Sequence, residues 1–410
     1  MSAAAPPGSP LVPVLALGQI VGWGTTYYMP SVLAPDLGRD LGLDTTGVFL
    51  GVTTMVAFGG LASPLAGRLL DRWGAGRFMV AAPLTIGLGH ALVAAFPSAA
   101  TWYAAWLLFG IAMPFGLTLA VNTFLTRFTG VGARRRIGLV ALLVGFAPTL
   151  FWPLTALLEA QLGWRGTLAC YAAVELALLL PLQLWIAANW SDAEPNFGFS
   201  RGPAPRVPEP QPVTLTPRMR TIAIVAMVVA FTSQGFASWG LPLHVIRLFG
   251  ELGLDDTTAV TVAAASGAAT IAARALEVTF GQRLHPLTTT GLSIAVLSPM
   301  LALLGSPLDP LIAAWIFIVV WSGANGILSV LRNTLPLTLF GAEAYGALMG
   351  RMSLPQNLVF AASPAIFALA MEHGGPMLAL WLAVGASLTA LVAAVVLQRI
   401  AHPGRRAAAH

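Results

Sequence analysis

Five charged side chains of this 410-residue chain stand inside long apolar stretches, and any chemistry must start from them: Glu175, Arg274, Glu277, Arg332 and Arg351. A charge at the middle of a membrane helix costs at least about 2.5–3.5 kcal/mol on insertion scales, so it ordinarily faces a cavity or a partner. Arg274 lies nine residues before Arg283, roughly 13 Å inside the nearer membrane face at about 1.5 Å per residue. Arg351 lies eight residues after Glu343, roughly 12 Å from the same face by the same rise. Two guanidinium groups at matching depth can clamp one anion, because the planar fork meets a carboxylate through two parallel hydrogen bonds and keeps its charge. The competing reading pairs each arginine with a protein acid. Glu277 is one helical turn from Arg274, so an internal salt bridge is the direct rival. Glu175, within an apolar run, can hold a proton or bond to a neighbouring helix.

Catalytic chemistry has no foothold. The chain contains no H-E-x-x-H, no Walker loop and no cysteine–histidine cluster. No enzyme activity, metal or cofactor is therefore expected, and without a Walker loop transport cannot draw on ATP within this chain. Cys170 is the only cysteine, so an intrachain disulfide is impossible.

Composition says what the elements are. The chain is 57% hydrophobic and 9% charged, whereas soluble domains carry about 25% charged residues. Runs of about 20 apolar residues, each enough to cross a hydrocarbon core, recur throughout. We read twelve spans, at 11–34, 46–68, 78–97, 101–126, 137–161, 166–188, 220–248, 257–281, 287–305, 309–333, 344–371 and 376–399. The first is too long and lacks the basic flank of a signal peptide, so it is expected to stay attached. Residues 190–218 carry seven prolines among polar residues, which suits a solvated linker between two six-helix bundles at 1–189 and 219–410.

All the basic residues are arginine, with a net charge of +5. They gather in alternate loops (Arg68, Arg72, Arg77, Arg127, Arg134, Arg135, Arg136, Arg283, Arg399), while the opposite loops carry Asp36, Asp40, Asp44, Glu159, Asp255 and Glu372. That parity argues for membrane topology and against nucleic acid, and it puts both termini in the cytoplasm.

The halves echo each other. GLDTTGV at 42–48 returns as GLDDTTAV at 253–260; Gln19 with Trp23-Gly24 returns as Gln234 with Trp239-Gly240. Ala104-Ala105-Trp106 returns as Ala313-Ala314-Trp315, and Pro153 stands ten residues before Gly163 as Pro364 does before Gly374. Pairing Thr45-Thr46 with Thr257-Thr258 sets Arg274 opposite Ala62.

Residues 67–77, GRLLDRWGAGR, closely resemble the loop between the second and third helices of major facilitator transporters, G-x-x-x-D-[RK]-x-G-x-[RK]-[RK]. Gly67, Asp71, Arg72, Gly74 and Arg77 fall on motif positions and Gly76 departs from them. The resemblance implies an all-α membrane protein of twelve transmembrane helices in two pseudo-symmetric six-helix bundles, with these five residues as a conformational gate and the substrate between the bundles. Glycines there would let helix ends approach, and Asp71 would meet a helix N-terminus or an arginine. Within that superfamily the chain resembles the branch of the oxalate:formate antiporter and the monocarboxylate transporters. Arg274 in the stretch AAR matches a span-eight arginine that holds the substrate carboxylate. Arg351 after Tyr345-Gly346 resembles a span-eleven basic residue. The acid that monocarboxylate transporters carry one turn before the arginine is Thr270 here.

The fold so implied makes span-one Trp23, Tyr27 and Tyr28 and span-seven Gln234, Trp239 and His244 cavity-lining candidates, with Tyr28 corresponding to His244. Asn325, between Gly323 and Gly326, is a further candidate for substrate contact. Glu277 and Glu175 are candidates for proton coupling, and Arg332 for a gate or packing. His90 reads as a packed histidine. The sequence therefore predicts a monomeric secondary transporter of a small organic anion, a carboxylate, in the cell membrane, driven by a proton or counter-anion. Drug export is the alternative, but span five reads GLVALLVGFAPTLFWP and lacks the paired glycines of drug antiporters. A receptor on the same scaffold is the remaining class.

Overall fold

The computed structural model describes residues 11–129, 133–190, 216–280, 284–340 and 345–401, and every regular element among them is helical. The chain separates into two compact units, Met1–Pro205 and Arg206–His410.

In the first unit, span one (11–41) has three pieces: an α-helix Leu11–Trp23, a π-helical turn Gly24–Tyr28 and an α-helix Pro30–Leu41. Proline explains the widening. Pro30 has no N–H and its ring crowds the carbonyl four residues back, so the turn before it loosens. The same device recurs in span six, where the π-helical Val174–Leu179 directly precedes Leu180-Pro181.

Span two is Thr45–Trp73, started by Asp44, whose Oδ1 accepts from the Gly47 amide at 2.6 Å. It does not stop at the expected residue 68. Nothing in 67–73 breaks a helix, and the chain turns only at Gly74, whose φ of 85° needs a residue without Cβ. A short helix Ala75–Phe78 leads to span three, Ala81–Ala95. Span four is Ala99–Gly116 continued by Thr118–Thr129, bent at Leu117. Spans five (133–162) and six (164–189) are joined by a single residue, Gly163, at φ 67° and ψ 173°. The following Trp164 and Arg165 latch that turn down, Trp164 Nε1 donating to Asp40 at 2.7 Å and Arg165 to the Ala94 carbonyl at 3.0 Å. At the end where the GRLLDRWGAGR segment sits, Leu11, Leu15, Leu70, Met79, Phe124 and Phe128 pack into one buried cluster.

In the second unit, span seven is Pro217–Gly240 extended by the 3₁₀ turn Leu241–His244 and the helix Val245–Glu251. Asp256–Phe280, Pro286–Leu303 and Pro310–Phe340 are spans eight to ten. Tyr345–Ala401 holds spans eleven and twelve, divided at Gly375, φ 66° and ψ −169°. Among the described residues nine helices are long and apolar enough to cross a membrane. Two of them are divided by these glycines and the broken first helix adds another, so the molecule has twelve spans in two six-helix bundles. Large apolar side chains such as Leu61, Phe96, Trp381 and Val392 are two-thirds exposed, a surface that suits lipid and not water. This is a multi-pass membrane protein.

The repeat is genuine, with two corrections of register. Asp255 Oδ1 accepts from the Thr258 amide at 3.0 Å as Asp44 does from Gly47. Equal caps make Asp44 and Asp255 equivalent, which sets Arg274 opposite Ser63 and not Ala62. The partner of Gly163 is Gly375, not Gly374, because only Gly375 shares its backbone conformation. Gln19 and Gln234 confirm the correspondence. Gln19 bonds Gly116 and Thr118 of span four, and Gln234 bonds Asn325 of span ten, so each links the first and fourth helices of its half.

Candidate functional site

Spans eight and ten pack closely because small residues face each other. A Cβ on Gly326 would stand 3.0 Å from Thr270, and one on Gly323 would stand 3.3 Å from Ala273. Thr270, the position at which the sequence departs from the carboxylate branch, donates its hydroxyl to the Ser322 carbonyl at 3.2 Å. This contact brings Arg274, half-buried, within reach of span ten. Its Nε donates to the Gly326 carbonyl at 3.2 Å and its Nη2 to Ser329 Oγ at 2.7 Å. These two hydrogen bonds of Arg274 run to span ten, and Glu277 stands half-buried one turn further on along its own helix.

Arg351 lies on the helix Tyr345–Ala401, and its side chain falls outside the described residues. Arg332 was expected at the end of span ten, but the helix runs on to Phe340. Its guanidinium lies over the Phe360 ring at 5.7 Å, and Phe360 stacks on Trp239 at 5.6 Å. A cation over an aromatic face is held by the ring quadrupole, so Arg332 joins spans ten, eleven and seven.

Asn325 sits in a polar network internal to the second unit. Its Oδ1 accepts from Gln234 Nε2 at 3.2 Å and from the Ser238 hydroxyl, and its Nδ2 donates to the Trp321 carbonyl at 2.9 Å. Ser387 closes the network on Gln234 Oε1 at 3.2 Å. His244 is buried with Nε2 2.9 Å from the Pro364 carbonyl. Because that carbonyl can only accept, Nε2 carries the hydrogen. Both residues are thereby engaged in holding their own bundle together. Tyr28, its expected counterpart, belongs to the other unit.

In the first unit, Trp23, Tyr27, Tyr28 and Trp152 form a chain of edge-to-face contacts with centroid separations of 6.0, 5.1 and 5.6 Å. Tyr27 is buried, while Trp23 and Tyr28 stay half-exposed. Glu175 is 1% exposed and reaches Thr25 Oγ1 at 3.2 Å. His90, as expected, is packed, with Nε2 3.0 Å from the Thr25 carbonyl.

The gate residues lie at a helix end and not in a loop. Gly67, Asp71 and Arg72 belong to the last turns of Thr45–Trp73, and Arg77 to Ala75–Phe78. A Cβ on Gly67 would meet nothing within 4 Å, so close approach is not its role in this conformer. Gly74 supplies the turn. Asp71 is met through its main chain: Arg127 of span four donates Nη1 to the Asp71 carbonyl at 2.7 Å. The last four carbonyls of a helix lack partners, and a guanidinium there satisfies one and opposes the negative end of the dipole. Arg72 lies over the Trp73 ring at 5.7 Å.

Sequence reasoning passed over Arg127, Ser238, Ser329, Ser387 and Thr25. A proline in mid-span, at Pro30 and Pro181, was the available signal for the Thr25–Glu175 contact. Hydroxyls in apolar helices carry no comparable mark.

The sequence profile of the Major Facilitator Superfamily matches residues 15–364, and the chain belongs to that superfamily. It is a membrane transporter and not an enzyme. Among solved structures it is similar to a bacterial homolog of the human lysosomal transporter Spinster, in an inward-facing and occupied conformation. The TM-score is 0.68 at 15% identity, over 96% of this chain and 97% of that one, a likeness of fold. No curated protein matches the sequence.

Proposed function

We propose that this transporter moves a small organic anion, a carboxylate, by alternating access of its two bundles, driven by a proton or counter-anion gradient. The observation that carries the reading is the fixing of Arg274. Gly326 and Ser329 hold its Nε and Nη2, so span ten orients a permanently charged planar fork before any substrate arrives. A preoriented guanidinium loses little freedom on meeting a carboxylate. Arg351 is the second proposed anion ligand and Glu277 a proposed proton carrier beside the first. Asp71, held by Arg127, is the proposed gate, since that contact ties the ends of spans two and four. The arginine parity puts both termini and the 190–218 linker in the cytoplasm of a cell whose surrounding membrane holds the protein as a monomer.

A second reading, export of amphipathic compounds, is favoured by one feature, the aromatic chain from Trp23 to Trp152, which offers ring edges to an apolar body. A thermal-shift screen of purified protein against carboxylates, sulfonates and drug-like cations separates the two, since a ligand bound by the native state alone raises apparent stability. Stabilisation by cations and by no carboxylate would replace the first reading with the second.

A further inference from the structure

Two π-helical turns meet in the first bundle, and a carboxyl group lies between them. Thr25 sits in Gly24–Tyr28 of span one, Glu175 in Val174–Leu179 of span six, and both are essentially without solvent exposure. Span three presses on the same place, where a Cβ on Gly87 would stand 3.1 Å from the Glu175 Cβ.

Counting hydrogens decides how the contact works. The Thr25 hydroxyl has one hydrogen and two acceptors within reach, the Val21 carbonyl at 2.9 Å and Glu175 Oε1 at 3.2 Å. It can donate to one of them. Back-bonding to the carbonyl four residues earlier is the ordinary habit of threonine in a helix and here is the shorter contact. The contact to Glu175 is then a hydrogen bond only if Oε1 itself carries a proton and donates to Thr25 Oγ1. With the acid protonated, all three groups are satisfied. With the acid ionised, the hydroxyl must swing to the carboxylate and release the Val21 carbonyl.

The backbone around Thr25 is already short of donors. In the wider π register the donor to the Thr25 carbonyl is residue 30, a proline with no N–H, and His90 Nε2 stands there instead at 3.0 Å. The ionisable groups on segments packed against Glu175 are His90 on span three, Tyr27 and Tyr28 beside Thr25, and Glu159, Arg165, Cys170 and Tyr171 along spans five and six. Arg165, ten residues away on the same helix, is bonded to the Ala94 carbonyl. The helix Leu180–Asn189 and the first piece Leu11–Trp23 carry no charged side chain.

We infer that Glu175 is a proton-binding site of the transport cycle, and that gain or loss of its proton is relayed through the Thr25 hydroxyl to the π-helical turn of span one. The site lies wholly within one bundle, so the inference does not depend on the substrate being an anion. Protonated, Glu175 leaves Thr25 back-bonded and the turn closed. Deprotonated, it draws the hydroxyl away and removes the side-chain bond to the Val21 carbonyl, in a turn whose Thr25 carbonyl already relies on His90, which favours a change in the turn.

The test is infrared titration of the full-length protein in lipid, with the proton as the only ligand, joined to amide exchange over residues 21–28. At pH 7 the wild-type spectrum should contain the carbonyl band of a buried protonated carboxylic acid, lost on raising the pH and regained on lowering it. Glu175→Gln should delete that band, and Thr25→Val should move it to higher frequency because the acceptor is gone. Exchange in 21–28, corrected for the intrinsic effect of pH, should rise as the wild-type band disappears and stay flat in Glu175→Gln. A spectrum in which Glu175→Gln removes no band overturns the inference, as does exchange that responds to pH equally in both proteins. Should Glu175→Gln fail to fold, Thr25→Val alone decides: an unshifted carboxylic band in that variant refutes the relay.

Discussion

Replacing Arg274 by alanine separates its structural duty, through its hydrogen bonds to span ten, from its proposed duty to the substrate. Arg274 donates to Gly326 and Ser329. When it is removed, the Gly326 carbonyl is not orphaned, since the Ser329 hydroxyl already donates to it at 2.7 Å. The expected stability loss from these partly exposed hydrogen bonds is therefore about 1 kcal/mol apiece. A charge-assisted bond to a bound carboxylate is worth about 1.5–3 kcal/mol, which is roughly a ten- to hundredfold change in affinity. Arg274→Ala should thus lower the melting temperature slightly and weaken carboxylate binding by one to two orders of magnitude. Arg274→Lys should recover part of the affinity only, because an ammonium cannot hold span ten and a carboxylate with one plane. Calorimetric titration of short mono- and dicarboxylates into each purified protein reads the affinity, and thermal unfolding reads the stability. Unchanged affinity with a stability loss of several kcal/mol would show that Arg274 is a strut and refute the reasoning. Full recovery of transport in the double replacement Arg274→Ala with Glu277→Ala would instead return Arg274 to the salt-bridge reading.

Four further outcomes are expected. Gly163→Ala and Gly375→Ala each force a side chain into a backbone region that is essentially glycine-only, at about 1–3 kcal/mol apiece, whereas Gly385→Ala, where a Cβ would meet nothing within 4 Å, should be milder in thermal unfolding; equal effects would refute the paired break. Arg127→Ala should speed or slow transport in proteoliposomes while leaving substrate affinity near normal, because it frees the Asp71 carbonyl from span four; a large loss of affinity counts against gating. Asp44→Ala should cost about 0.5–2 kcal/mol as a lost cap. In the other half the Thr258 hydroxyl and amide hold the Asp255 carboxyl below the ordinary aspartate value. Its stabilising contribution is therefore complete above the unfolded-state pKa and fades as pH falls through the folded one. Acid unfolding of wild type and Asp255→Asn should diverge only above that range.

The spans were legible because hydropathy is local and a bilayer demands about the same length of every helix. The halves were legible because they repeat. What escaped notice depended on atoms that lie far apart in sequence. A one-residue ambiguity in GLDTTGV against GLDDTTAV could be resolved only by seeing which aspartate caps each helix. The choice between Gly374 and Gly375 needed dihedral angles. The polarity of Asn325, His244 and Gln234 was visible, but not that Ser238, Ser387 and the Pro364 carbonyl already engage them. Arg274 was read against its nearest acid in sequence, whereas Gly323 and Gly326 let a neighbouring helix come closer. The helix end around Asp71 was taken for a loop because its charges suggested water, though nothing before Gly74 prevents helix.

The links at Gly163 and Gly375 also bear on how the protein is made. A connection of one residue leaves no stretch of chain to emerge on its own while the following helix is still in the ribosome. Spans five and six, and likewise eleven and twelve, are therefore expected to enter the membrane together as pairs, with Trp164 and Arg165 fastening the first pair to the ends of spans one and three. In a nascent chain halted between the members of either pair, a cysteine engineered into the first helix should stay reactive to a water-soluble reagent until the second helix is complete.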